Sequence, residues 1–276
     1  GNYAYATNPF GANFKTCKPG ANCAQLQIFT TTNPAAIPSP VNFLIPTSSP
    51  PYVLGSGGQA AGQTIFYKDG YLYLGLTKTA SGPEFNIIDV RDPLHPKWIG
   101  GYSIGNTINQ IYVRGGFAYV ASDDKSRELI ILDVHDPSNP FFVSSFDPSG
   151  TLGHETGQSV YAVGDALYVG MGAAGGFPEL YVLNIAHAGV PTLLGSYVDG
   201  STLLRIFADN TLAFLLASTV HQFQILNISD LAAIKGYAQP VSLPGAGAAL
   251  DCEGSSFYAA SNNGTQGNLA IISPGP

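Results

Sequence analysis

The sequence predicts an all-β chain: a β-propeller of about six four-stranded blades whose end blades are incomplete. Three observations carry this. A unit of about 45 residues repeats along the chain, each copy holds short apolar strand segments in one fixed order, and no segment of helical period competes with them.

The most regular column is a short strand opened by a Gly or Asp turn: YAYAT from Tyr3, YLYLG from Tyr71, FAYVA from Phe117, ALYVG from Ala166, TLAFL from Thr211 and SFYAA from Ser256. From Tyr71 onward the copies start 46, 49, 45 and 45 residues apart; the first interval, 68 residues, carries insertions. Six residues before this column stands another, Ile65, Ile111, Val160, Arg205 and Leu250. The pairs at 69–70, 115–116, 164–165 and 209–210 (DG, GG, GD and DN) separate the two, as in tight hairpins. A β-branched run ending in a polar turn-former comes next: LQIFT, FNIIDV, LIILDV, LYVLNI, FQILNI and LAIIS. A Pro-rich turn and a fourth strand complete the repeat, most clearly in DVRDPLHPKWIGGY and DVHDPSNPFFVSSF.

Four short antiparallel strands in about 45 residues is the size of one propeller blade. A single such sheet cannot bury both faces, whereas blades packed together can. The expected blades cover about 1–46, 63–103, 108–147, 158–198, 203–243 and 247–276 of one domain, with insertions at 7–24 and 46–62. A β-sandwich would give no reason for the period.

These motifs resemble the LVIVD repeat, best in the copy through Phe117, Val134 and Val143 and well over about 63–241, with partial flanks. The blade at 203–243 departs from it, with ISDLAAI where the pattern has DPxxP. The resemblance implies a propeller of surface or secreted proteins, chiefly prokaryotic, with no common enzymatic activity and no catalytic residues to carry over.

The first repeat begins at its second strand and the last stops at its third. Three readings are open: residues 46–62 fill a gap, the polypeptide continues at an end, or a neighbouring subunit supplies a strand. Under the last, the edges holding Tyr3, Tyr5, Leu269 and Ile271 become assembly edges, because an unpaired strand is a template for another chain.

Composition narrows the function classes. Charged residues make up 11% of the chain, against an average near about 25%, which suits an extracellular or assembled protein. With a net charge of −7 and no basic run, a nucleic-acid partner is not expected. No apolar stretch reaches membrane-spanning length, so no direct membrane insertion is expected in this segment. Cys17 and Cys23 bracket KPGAN, a turn-former that fits a loop-stapling disulfide and an oxidising compartment; Cys252, in an apolar run, is expected to be a buried thiol.

The candidate chemistry is sparse. Asp89, Asp133, Asn184 and Asn227 form an aligned polar column, read as caps that bond backbone N–H groups of the following turn. His95, His135 and His187 read as surface turn residues. His154 and Glu155, in the loop DPSGTLGHETGQ, are the best candidate ligand pair, as metal ligands or as acid and base, although neighbours in a strand point apart. Gln63, Asn109 and Gln158 on the inner strands suit gripping a polar ligand better than moving protons. Asp123, Asp124 and Glu128 supply oxygens for Ca²⁺ but lack its loop spacing, so a solvated acidic turn is expected. Asn227 and Asn263 head N-glycosylation sequons.

No hydrolase, phosphate-loop or metalloprotease motif occurs and no cofactor is expected. The reading is a non-enzymatic extracellular or cell-surface module, an assembly or adhesion subunit partnered by itself or by other surface proteins. The alternative is a glycan- or peptide-binding propeller using the loop-rich axial face, with a lactonase-like hydrolase third.

Overall fold

A computed structural model describes residues 2–7, 25–33, 35–43, 60–79, 82–148, 155–219, 222–262, 264 and 266–273. Cys17, Cys23, His154, His221 and Asn263 lie outside these residues, as does most of both insertions. The described residues form six small antiparallel sheets, the blades of a β-propeller, with one short 3-10 turn at Leu231–Ala233. By packing, residues 1–124 with 132–143 make one compact unit, and 125–131 with 144–276 make the other.

In chain order the first sheet holds β1 (Tyr3–Thr7), β2 (Leu26–Thr30) and β3 (Val41–Phe43). The second holds β4 (Gly62–Lys68), β5 (Tyr71–Leu76), β6 (Phe85–Asp89) and β7 (Lys97–Tyr102). The third holds β8 (Ile108–Arg114), β9 (Phe117–Ser122), β10 (Leu129–Asp133) and β11 (Phe141–Phe146). The fourth holds β12 (Gly157–Val163), β13 (Ala166–Met171), β14 (Leu180–Asn184) and β15 (Thr192–Tyr197). The fifth holds β16 (Leu203–Ala208), β17 (Leu212–Ala217), β18 (Phe223–Asn227) and β19 (Lys235–Gly236), and the sixth β20 (Ala246–Glu253), β21 (Ser256–Asn262) and β22 (Gly267–Ile272). Each strand pairs with the next, so the first and last sheets have three strands and the others four.

The middle strands are buried on both faces. Every residue of β5, β9 and β13 after the first is buried, as a sheet covered on both sides requires. In the first unit Leu26, Ile28, Leu72, Leu74 and Ile88 form one apolar cluster. In the second, Leu180, Val182, Leu203, Ile206, Leu215 and Leu226 form another.

The hairpin pairs do what their composition demands. Asp69 and Gly70 take φ of 51° and 83°, and Gly115 and Gly116 take 57° and 78°, the left-handed values of a tight turn matched to strand twist. The fifth sheet departs from expectation. Leu212 rather than Thr211 holds the place of Tyr71, the Asp209 N–H bonds the Leu212 carbonyl across the turn at 210–211, and Ile206 rather than Arg205 sits opposite Leu215, where Ile111 sits opposite Val120. Burial of an aliphatic side chain decides the register.

The aligned polar column caps its turns. Asp89, Asp133, Asn184 and Asn227 each accept, through Oδ1, the backbone N–H two residues on, at 3.0, 2.9, 2.9 and 3.0 Å. The turn survives even where its sequence has drifted: Asp230 Oδ1 accepts the Ala232 N–H at 3.0 Å, as Asp136 accepts that of Ser138 at 2.9 Å. The expectation of a buried thiol at Cys252 fails. It is a free, exposed cysteine on β20, where only Gly247 and Leu250 are buried.

Candidate functional site

All five inner strands, β4, β8, β12, β16 and β20, slip register at the same place. The extra residues are Gln63, Asn109, Gln158, Leu204 and Ala248. The three amides picked from sequence are therefore bulge residues, where a side chain is re-aimed out of the regular alternation. Asn109 donates to Asp123 Oδ1 at 2.7 Å, and Gln158 to Thr156 Oγ1 at 2.7 Å, whereas the Gln63 side chain is exposed. These groups offer hydrogen bonds and no acid–base pair.

Glu155 is 1% exposed and neither carboxylate oxygen has a hydrogen-bond partner among the described residues. It lies close enough to Tyr181 to act on its hydroxyl. Burial first, then Glu155, Glu179 and Glu128, push that group up to about 12. The acidic turn expected at 123–128 is not solvated: Asp124 and Glu128 are both buried. Among the described residues no group of three His, Cys, Asp or Glu side chains is disposed to hold a metal ion. Asn227 holds the N–H and hydroxyl of Ser229 on one oxygen, at 3.0 and 2.7 Å, so its side chain is engaged in the turn. His95 and His135 are exposed turn residues, each paired through Nδ1 with Asp92 at 2.8 Å and Asp133 at 2.9 Å.

One column escaped the sequence reading. Glu84, Glu128 and Glu179 are buried immediately before the third strand of their sheets, and Gln25 fills the place in the first. Glu84 Oε2 accepts the N–H groups of Ile104 and Gly105 at 2.9 and 3.0 Å. Glu179 Oε2 accepts those of Asp199 and Gly200 at 2.8 and 2.9 Å. Glu84 and Glu179 thus fasten the segments that leave their blades, a structural task.

An open groove of about 690 Å³ lies in the first unit, lined by Tyr3, Tyr5, Tyr67, Asn2, Asp69 and Arg91, among others. Its origin is a register pattern. In four sheets an aromatic on the inner strand lies opposite one on the next: Phe66 and Tyr73, Tyr112 and Tyr119, Tyr161 and Tyr168, Phe207 and Phe214. Tyr5 occupies the equivalent place on β1, the edge strand of its sheet. Tyr67 of β4 stacks on it instead, with ring centroids 5.8 Å apart and planes 11° from parallel. Burial, then Tyr67 and Tyr3, raise the Tyr5 hydroxyl above its usual value. At the groove's rim Arg91 is already engaged: it bonds Asp89 through Nε and Nη2 and lies 5.4 Å over the Tyr71 ring. Tyr3 and Tyr5, expected at an assembly edge, lie on the edge strand β1 and line this groove.

An LVIVD repeat matches residues 105–148, the third sheet and its flanks. No curated relative matches the chain. Among solved structures, a putative 6-phosphogluconolactonase from Bacteroides uniformis ATCC 8492 is similar at a TM-score of 0.69 and 8% identity, over 99% of this chain and 79% of that one. A functionally unknown protein from Desulfotomaculum acetoxidans DSM 771 gives 0.59 and 14%, over 90% and 75%. The computationally designed Ika8 protein gives 0.57 and 13%, over 92% of this chain but only 66% of its own. At such identities the likeness is one of fold alone. This chain is a β-propeller that carries an LVIVD repeat.

Proposed function

We propose that the protein is a non-enzymatic extracellular or cell-surface subunit that associates with other chains, its own copies or other surface proteins, through uncharged strand edges. The carrying observation is β22, the edge strand of the sixth sheet, where Leu269 and Ile271 are 67% and 64% exposed on one face and no residue is charged. A bare apolar edge is a ready partner for another strand, and soluble monomers guard such edges with charge, proline or bulges. The outer strand β15 supports the same reading: Leu193 and Leu194 are exposed and Thr192–Tyr197 holds no charge. The extracellular placement rests on the low charge content and the Cys17/Cys23 pair. The non-enzymatic reading rests on inner strands that carry amides at their bulges.

The test is to compare the untagged chain with Leu269→Lys/Ile271→Lys by light scattering and electron microscopy. Assembled particles in the parent and monomers in the double variant would support edge pairing. A parent that stays monomeric when concentrated, or a variant that assembles as the parent does, overturns it. Removing 268–276 is the harsher version and should leave a folded monomer.

A further inference from the structure

We propose that the tyrosine groove of the first unit binds the end of a neutral glycan, one pyranose stacking on Tyr67 with its hydroxyls held by Asp69 and Asn2. The site is separate from β22, so this inference stands or falls apart from the assembly reading.

The argument starts from Tyr67. On a short strand whose neighbours are packed, this residue is 56% exposed. A cluster of exposed aromatics marks a contact site, and here Tyr67 stands in a groove beside two more tyrosines. Because Tyr5 stacks nearly parallel on Tyr67, the pair presents a flat ring face and not rings set around a centre. A cage for an organic cation needs rings set around the charge on several sides, so that ligand is disfavoured by the same geometry. A pyranose, with an apolar C–H face and polar rim, fits a flat aromatic surface bordered by hydrogen-bonding groups. A volume of about 690 Å³ lies in the range of small-ligand sites, about 300–1,000 Å³.

The polar groups set the charge of the ligand. Arg91 is paired through Nε and Nη2 with the Asp89 carboxylate and lies over Tyr71, so its charge is already offset by an acid at the rim. Asp69 is exposed, and its carboxylate makes no hydrogen bond or ion pair among the described residues. An uncommitted carboxylate accepts vicinal hydroxyl donors and repels sialic and uronic acids. Both charges point to a neutral hexose.

The experiment is an array of immobilised neutral, sialylated and uronate glycans probed with the chain, Tyr67→Ala, Tyr67→Trp and Asp69→Asn. Neutral hexose-terminated glycans should be retained, with affinity falling at least about tenfold in Tyr67→Ala and in Asp69→Asn and surviving in Tyr67→Trp, which keeps the platform. The Asp69 turn has φ of 51°, which Asn tolerates, and near-UV circular dichroism checks that each variant is folded. Retention of no neutral glycan, a preference for acidic glycans, or full binding by Tyr67→Ala overturns the proposal. Repeating the array on Leu269→Lys/Ile271→Lys separates a failed groove from a failed assembly.

Discussion

The Asp133 carboxylate holds the backbone N–H of His135 at 2.9 Å, and the same bond closes the turn after the third strand in three other sheets. Beside it the His135 ring meets Phe117 edge-on, centroids 5.1 Å apart, so the cap also seats a ring against the hairpin. Asp133→Ala removes an acceptor for a backbone donor at a turn, a loss of about 1 kcal/mol. Asp133→Asn keeps Oδ1 and should cost much less, because Asn184 and Asn227 already do this task. Denaturant midpoints of the two variants check the ordering; equal losses would mean the charge matters more than the bond.

Asp89 shows what the charge adds. The side-chain hydrogen bond from Arg91, followed by its backbone N–H, lowers the Asp89 carboxyl from the usual 3.8 to about 2. A depressed acid stabilises the fold fully above its unfolded value and loses that contribution as pH falls through its folded one. The stabilisation should therefore be complete above about pH 4 and disappear toward pH 2. The Arg91 side chain is 66% exposed, so screening keeps the effect small. Asp89→Asn should be slightly less stable than the parent at neutral pH and equal to it near pH 2; a gap that persists at pH 2 would point to lost packing.

The buried acids are a sharper case. Glu179 takes two backbone N–H groups on one oxygen and leaves them without an acceptor when truncated. Hydrogen bonds to a charged group contribute about 1.5–3 kcal/mol, so Glu179→Ala should lose that much by chemical denaturation, and Glu179→Gln clearly less. Hydrogen exchange should quicken at Asp199 and Gly200 first, since those amides are the ones released.

These columns also mark how far a sequence is legible. Strand order, hairpins and the Asp and Asn caps were readable because each is local: alternation, a two-residue turn, a bond to the second residue on. Glu84, Glu128 and Glu179 recur just as faithfully, but the carboxylates of Glu84 and Glu179 serve amides about twenty residues away, and one acid beside an apolar run looks like a surface residue. Their fixed place before the third strand was the available signal. The register of the fifth sheet was missed because its column was aligned from Thr211, whereas Leu212 holds the place of Tyr71 and Ile206, six residues earlier, that of Ile65. The groove was missed because it depends on Tyr67 reaching another sheet, which no spacing within one repeat encodes.

Gly195 tests how blades are fastened at their outer strands. A Cβ at Gly195 would run into the carbonyl oxygen of Leu231, and one at Gly100 into that of Pro137. Both contacts join an outer strand to the turn of the following blade. Ser144, at the same place in β11, instead donates its hydroxyl to the Ala188 carbonyl at 2.7 Å. The position thus tolerates either no side chain or one able to bond the facing carbonyl. Gly195→Ala adds a methyl against a backbone that cannot swing away, and overpacking of this kind costs about 1–3 kcal/mol. Gly195→Ser places a donor where Ser144 has one and should recover part of that loss. Urea denaturation of both variants decides the point. Alanine as stable as glycine would mean that the outer strand is free to shift, and serine no better than alanine would confine the rescue to β11.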